Sequence, residues 1–173
     1  MTDQGELCRK LARDLDGAFP DLIAAMQDQI YSGLRRLHRA DAEDLTQEVF
    51  IRAYRALSGY EPSRIRKLKL RGWLWTIAMN LGRNHARDRA RRPTPVRLVD
   101  HFSTEDPEPL DSQAWSRRLA ALGVHQRRAV VLRHVAGLSY GEIARALERP
   151  EGTVKADVHR GIERLRTIME AER

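Results

Sequence analysis

Apolar residues recur along this chain at helical spacing, and no stretch alternates as a half-buried strand would. Leu7, Leu11 and Leu15 predict a short first helix that stops before Gly17 and Pro20. Leu22, Ile23, Met26, Ile30, Leu34 and Leu37 mark a longer amphipathic helix. A third starts near Asp41, turns Leu45, Val49, Ala53, Tyr54 and Leu57 inward, and ends at Gly59. A basic connection follows from Gly59 to Gly72. A fourth helix runs from about Leu70 to Arg91, anchored by Trp73, Leu74, Ile77, Ala78 and Leu81. Together they predict one helical bundle of about ninety residues.

Pro93 and Pro95 end that run, since proline lacks the N–H a helix interior needs. Residues 98–114 then carry Asp100, Glu105, Asp106, Glu108 and Asp111 with no Lys or Arg, and too few apolar residues to pack a core. This composition predicts an extended, flexible acidic linker over 93–114. The expected fold is all-α, with modules at 1–92 and 115–173.

The second module holds the sharpest local signal. Ser139 and Glu142 form a capping box, and Ile143, Ala144 and Leu147 give the helix behind it an apolar face. After a break at 148–150, Pro150 suits the first turn of another helix, whose buried stripe is Val154, Val158, Ile162 and Leu165. Lys155, His159 and Arg160 lie off that stripe, and Asp157 is expected there with them. Two short helices, a tight turn and a basic outer face make a helix-turn-helix, a device that fits a DNA major groove.

Charge strengthens this reading. Lys plus Arg number 31 against 24 Asp plus Glu, a net charge of +7, which favours a polyanionic partner. The lone cysteine, Cys8, cannot form an internal disulfide and is expected to be an incidental thiol near a loose terminus. A reduced, cytoplasmic setting is expected, with no signal peptide and no membrane span. No phosphate-binding glycine loop, nucleophile triad or metal-ligand spacing is found, so neither enzyme activity, cofactor nor metal is expected. Tyr60 near Arg64 is the single nucleophile that a DNA recombinase could use, and it stands without supporting motifs.

Two further surfaces stand out. Asp44, Gln47 and Glu48 share one helix face, with Asp41 a turn earlier, and form an acidic patch. Arg64, Arg66, Lys67 and Lys69 crowd the basic connection, while Arg83, Arg87 and Arg91 form a stripe able to track a phosphate backbone. The register with Ile77 assigns Trp73 to the core and leaves Trp75 as the aromatic available to stack on an unpaired base.

These motifs, taken in order, resemble a known family. Asp41-Ala42-Glu43-Asp44-Leu45-Thr46-Gln47-Glu48-Val49-Phe50 is similar to the second conserved region of bacterial sigma-70-type sigma factors. Arg71-Gly72-Trp73-Leu74-Trp75-Thr76-Ile77-Ala78 with Asn80 resembles that region's promoter-facing helix, and Gly152-Thr153-Val154-Lys155 resembles region four. Two such regions in a short chain resemble the extracytoplasmic-function (ECF) subfamily.

The resemblance implies a subunit that directs core RNA polymerase to promoters. Asp41, Asp44, Gln47 and Glu48 would meet the β′ clamp helices. Arg64, Arg66, Lys67, Lys69, Trp75, Asn80, Arg83, Asn84, Arg87 and Arg91 would engage the −10 element, with a base flipped into the loop at 59–72. Thr153, Lys155, Ala156, His159 and Arg160 would read −35. Gln126, Arg127 and Arg128 precede the helix that meets the β flap, and an anti-sigma factor is an expected partner. The alternative is a conventional helix-turn-helix regulator that binds duplex DNA without polymerase. Where the family often has Ser-Arg after its Thr-Val-Lys, this chain has Ala156-Asp157, and an acid there is expected to oppose phosphate.

Overall fold

A computed structural model describes residues 4–91 and 110–172, and the side chains of 86, 88–91 and 110–112 fall outside the description. The expected linker, apart from its last residues, lies outside the described residues, as does the side chain of Arg91. The fold is all-α, with no strand among the described residues. Helix α1 is Gln4–Arg13, α2 Leu15–Leu37, α3 Ala42–Ser58, α4 Pro62–Arg66 and α5 Leu70–Arg91. The second module comprises α6 Leu110–Ala120, α7 Val124–His134, α8 Tyr140–Leu147 and α9 Glu151–Ala171.

The first break falls earlier than the apolar spacing predicts. Asp14 accepts a hydrogen bond from the Gly17 N–H and so caps α2, which runs on through Pro20. Proline there forfeits one backbone donor, while Leu22, Met26, Ile30 and Leu34 of the same helix are all buried. That burial outweighs one missing hydrogen bond. Cys8 is no loose-end thiol: it is buried, and its S–H donates to the Leu68 carbonyl at 3.4 Å. The connection at 59–72 is also more ordered than its charge suggests, because Pro62 starts a short helix and Ile65 is buried. In the second module α6 begins at Leu110, inside the expected linker.

The modules are not held apart. Helix α8 packs across α5, and α7 packs on α2. Ala129, Leu132, Leu138, Ile143, Ala146, Val154 and Val158 share one continuous core with Leu22, Leu34, Leu74 and Trp75. One glycine makes this approach possible: a Cβ on Gly72 would stand 3.0 Å from the Glu142 side chain of α8. Within the first module, a Cβ on Gly82 would run into the His38 ring, so α5 and the end of α2 also pack closely.

Candidate functional site

The acidic face of α3 is open. Asp44 and Gln47 are exposed, and Glu48 accepts from Arg52 Nε at 2.7 Å one turn on. Asp41 is turned elsewhere: it sits in the 3₁₀ turn Arg39–Asp41 before α3, with its carboxylate 3.6 Å from His85 Nδ1 on α5. The patch is therefore Asp44, Gln47 and Glu48 without Asp41. Beside it a groove of about 520 Å³ runs between α2 and α3, walled by Phe19, Ile23, Phe50, Ile51 and Tyr54. The Tyr54 hydroxyl donates to Asp16 at 2.6 Å, and that hydrogen bond holds its pKa above the ordinary value.

The basic connection keeps Arg64, Arg66, Lys67 and Lys69 at the surface. Arg64 stacks 3.7 Å above the Tyr60 ring, which in turn leans on Trp73 at 6.1 Å between centroids. The two tryptophans exchange the places expected of them. Trp75 is 0% exposed and lies against Gly33, so its ring is core and cannot stack on a base. Trp73 is half-buried at the edge of the connection. The reason is register: Leu74, Trp75, Ala78, Met79 and Gly82 all turn inward, a wider stripe than Trp73 and Ile77 define.

Along α5, Asn84 and Arg87 are exposed, but Asn80 and Arg83 are engaged. Arg83 donates to the Asn80 side-chain oxygen and, through Nη2, to the Glu148 carboxylate at 2.9 Å. Glu148 belongs to the other module, at the turn between α8 and α9. Its backbone adopts the left-handed conformation, φ 53°, to close α8, which is unusual for a residue with a Cβ.

In the helix-turn-helix both halves of the predicted capping box form: Ser139 Oγ accepts from the Glu142 N–H, and the Glu142 carboxylate accepts from the Ser139 N–H at 2.9 Å. Burial pushes the Glu142 carboxyl up, but the Ser139 hydrogen bonds, with Lys69 and Arg145 nearby, outweigh it and leave the pKa below the ordinary value. Pro150 stands one residue before α9 as its cap. Lys155 and His159 project from α9 into solvent, Thr153 is half-buried, and Ala156 supplies no polar side-chain atom. Lys155 pairs with Glu151 at 2.9 Å, which raises its pKa.

Asp157 corrects the sequence expectation most clearly. It is 5% exposed, and its carboxylate accepts from Arg149 at 2.6 Å and Arg160 at 3.0 Å. It opposes no phosphate on the outer face; it ties the turn to α9 and holds Arg160 in place. Positions 154, 157, 158, 161 and 165 form the buried row of this helix, and that spacing is the signal for Asp157. Glu148, Arg149 and His38, which join or face the other module, had no comparable periodic signal. Arg127 and Arg128 do not project freely from α7 but are half-buried, with charges felt by His38 on α2.

Comparison with known proteins follows the same two-part division. Residues 22–92 match the family model of sigma-70 region 2, and residues 112–165 that of sigma-70 region 4. The chain is 35% identical to the ECF RNA polymerase sigma factor SigE of Mycolicibacterium smegmatis, over 88% of this chain and 62% of that protein. It is 32% identical to the ECF RNA polymerase sigma-E factor of Escherichia coli, over 94% of this chain and 92% of that one. Among solved structures, CnrH in complex with the cytosolic domain of CnrY superposes with a TM-score of 0.72 at 23% identity, over 99% of this chain and all of that one. RpoE of Bartonella quintana, solved with the anti-sigma factor NepR, gives 0.71 at 24% identity, over 90% and 98%. With both regions matched in order and a relative covered almost end to end, the chain belongs to the ECF subfamily of the sigma-70-type RNA polymerase sigma factors.

Proposed function

We propose that this chain docks on core RNA polymerase through Asp44, Gln47 and Glu48 and directs it to promoters with two separate basic surfaces. The observation that carries this is the division of charge: an open acidic face on α3, and exposed cations on the 59–72 connection, α5 and α9. The carboxylates suit arginines on the β′ clamp helices, which they would accept in charge-assisted, bidentate hydrogen bonds. The apolar groove beside Ile51 and Tyr54 offers burial to the same partner.

On DNA, Arg64, Arg66, Lys67, Lys69, Arg87 and Arg91 would follow the −10 backbone, while Asn80, Arg83 and Asn84 would meet base edges once the modules part. Tyr60 and Trp73, half-buried beside Arg64, take the stacking role first assigned to Trp75. A flipped base costs a few kcal/mol to unstack, and a pocket in this connection would offset that. Lys155, His159 and Arg160 would enter the −35 major groove, with Thr153 and Ala156 at its edge, and the α9 N-terminus would favour a phosphate. The β flap is proposed to meet the second module.

This function needs no cofactor and no catalysed reaction, and its place is the cytoplasm. Among the described residues no helix is long and apolar enough to cross a membrane. An anti-sigma factor is part of the reading, in line with the Bartonella sigma factor RpoE, which was solved with the anti-sigma factor NepR. The test is transcription in vitro from pooled promoter fragments by core polymerase with and without the protein. Initiation that depends on the protein is expected; no stimulation together with tight duplex binding by the protein alone favours the conventional regulator.

A further inference from the structure

Where α5 meets the second module a cavity of about 210 Å³ opens, lined by Met79, Arg83, His125, Arg128, Leu147 and Arg149. Four of these six carry a basic group and none carries an acid. Arg83 and Arg149 are paired, with Glu148 and Asp157. Arg128 is different. It is half-buried, and among the described residues no carboxylate stands within ion-pair distance of it. Desolvation, then the charges of Arg83 and Arg127, hold its guanidinium pKa below the ordinary value.

Half-buried cations normally find an anion, because desolvating a charge without one is costly. Here both modules contribute to a cationic wall, and among the described residues its Arg128 has no carboxylate partner when the modules are closed. Guanidinium groups match phosphate oxygens bidentately. The cavity falls below the roughly 300–1,000 Å³ of pockets that enclose drug-sized ligands, so it suits the anion itself rather than a whole nucleotide.

We propose that this cavity binds a diphosphate group, which bridges Arg83 of the first module to Arg128 and Arg149 of the second and so holds the modules together. Met79 and Leu147 close the remaining sides with groups that offer no competing acceptor. The site does not depend on the promoter reading, since both its walls belong to the protein alone.

The experiment is calorimetric titration of the full chain with sodium pyrophosphate, ADP and, at matched ionic strength, sodium sulfate. One saturable site for pyrophosphate is expected, at least tenfold tighter than sulfate. Arg128→Gln should weaken it at least tenfold, and the double variant Arg164→Gln/Arg166→Gln, exposed on α9, should not. ADP binding as well as pyrophosphate assigns the site to any terminal diphosphate; weaker ADP assigns it to the free ion. Removing Arg128 relieves like-charge crowding, so circular dichroism should show that variant folded and melting no lower than the parent. Small-angle scattering should show pyrophosphate compacting the parent and leaving Arg128→Gln unchanged. Non-saturating heats, equal sulfate affinity, or undiminished binding in Arg128→Gln would overturn the proposal.

Discussion

On α3 the side chains of Asp44 and Gln47 face solvent, whereas on α5 Asn80 is taken by Arg83, and Arg83 also by Glu148 at the turn of the second module. The two faces belong to one bundle and are built alike, as the outer sides of amphipathic helices. They differ in readiness. The face proposed for polymerase is free as the chain folds, while Arg83, in the middle of the face proposed for −10 DNA, is held by the module that would read −35. Closure lowers apparent DNA affinity by the fraction of molecules that are open, and leaves polymerase affinity nearly untouched. Polymerase docking therefore comes first in this scheme, and separation of the modules admits DNA.

The most damaging way to break the comparison is to remove what lies beneath both faces. Trp75→Ala empties a fully buried site and should cost about 3–5 kcal/mol, lowering the melting temperature and abolishing polymerase and DNA binding together. Trp75→Phe should do far less, because the indole N–H is buried with no acceptor and its loss leaves nothing newly unpaired. A Trp75→Ala protein that melts normally and fails only at promoter opening would restore Trp75 as a stacking residue. Next, Asp44→Arg with Glu48→Arg should remove about 2–5 kcal/mol of core-polymerase binding, a Kd at least about thirtyfold higher. Duplex binding should not fall, since positive charge is added, and stability should drop by no more than about 1 kcal/mol, from the exposed Glu48–Arg52 pair and the acid lost from the first turn of α3. Unaltered polymerase affinity would make the acidic face an ordinary wet surface. Asp157→Ala is expected to cost about 1–3 kcal/mol in thermal unfolding and to release Arg149 and Arg160 from a common anchor.

How far the sequence foretold this depends on what kind of signal each residue carries. The helices of α3, α5, α8 and α9 were legible because burial imposes a 3.6-residue period, and the Ser139–Glu142 box because capping is local. Trp75 and Asp157 were misassigned although periodicity contains them. Each sits at the margin of an apolar stripe, where only the neighbouring helix decides whether the position is covered. The closed arrangement was not legible at all. It rests on Gly72 and Glu148, whose partners Glu142 and Arg83 lie far away in sequence, and no spacing rule connects them.

A finer cut concerns Glu148 alone. Its pair with Arg83 is largely exposed and should contribute no more than about 1 kcal/mol, so Glu148→Gln should shift the closed population by at most a few-fold. Glu148→Gly removes the same pair but also relieves a left-handed backbone at φ 53°, the conformation glycine adopts at little cost. The two variants should open the modules equally by small-angle scattering, while only Glu148→Gly raises the melting temperature. If Glu148→Gln leaves −10 strand binding by the free protein unchanged, the ion pair plays no part in covering α5.

The smallest expected effect is the one that acts only on closure. His38, at the end of α2, is surrounded by Asp41 just after it, His85 on α5, and Arg127 and Arg128 on α7. Burial, then the charge of Arg128, holds its pKa below 6.5, while Asp41 pulls the other way. A depressed histidine pKa means that the closed state disfavours the proton, so its contribution to stability is present above the ordinary value of 6.5 and is lost as pH falls below it through the depressed pKa. Separating the modules removes Arg127 and Arg128 from the ring, so acidification from pH 7.5 to 5.5 should favour the open form. Glu142, at the α5–α8 contact, also has a depressed pKa, but as a carboxylate its contribution is present above about pH 4.5 and lost only below it. The histidine window therefore opens at a higher pH than the carboxylate window. A pH series of small-angle scattering should therefore show expansion between 7.5 and 5.5 that His38→Gln abolishes, with the helical signal constant. Expansion that persists in His38→Gln would move the switch away from α7 and leave the closure of α5 independent of this histidine.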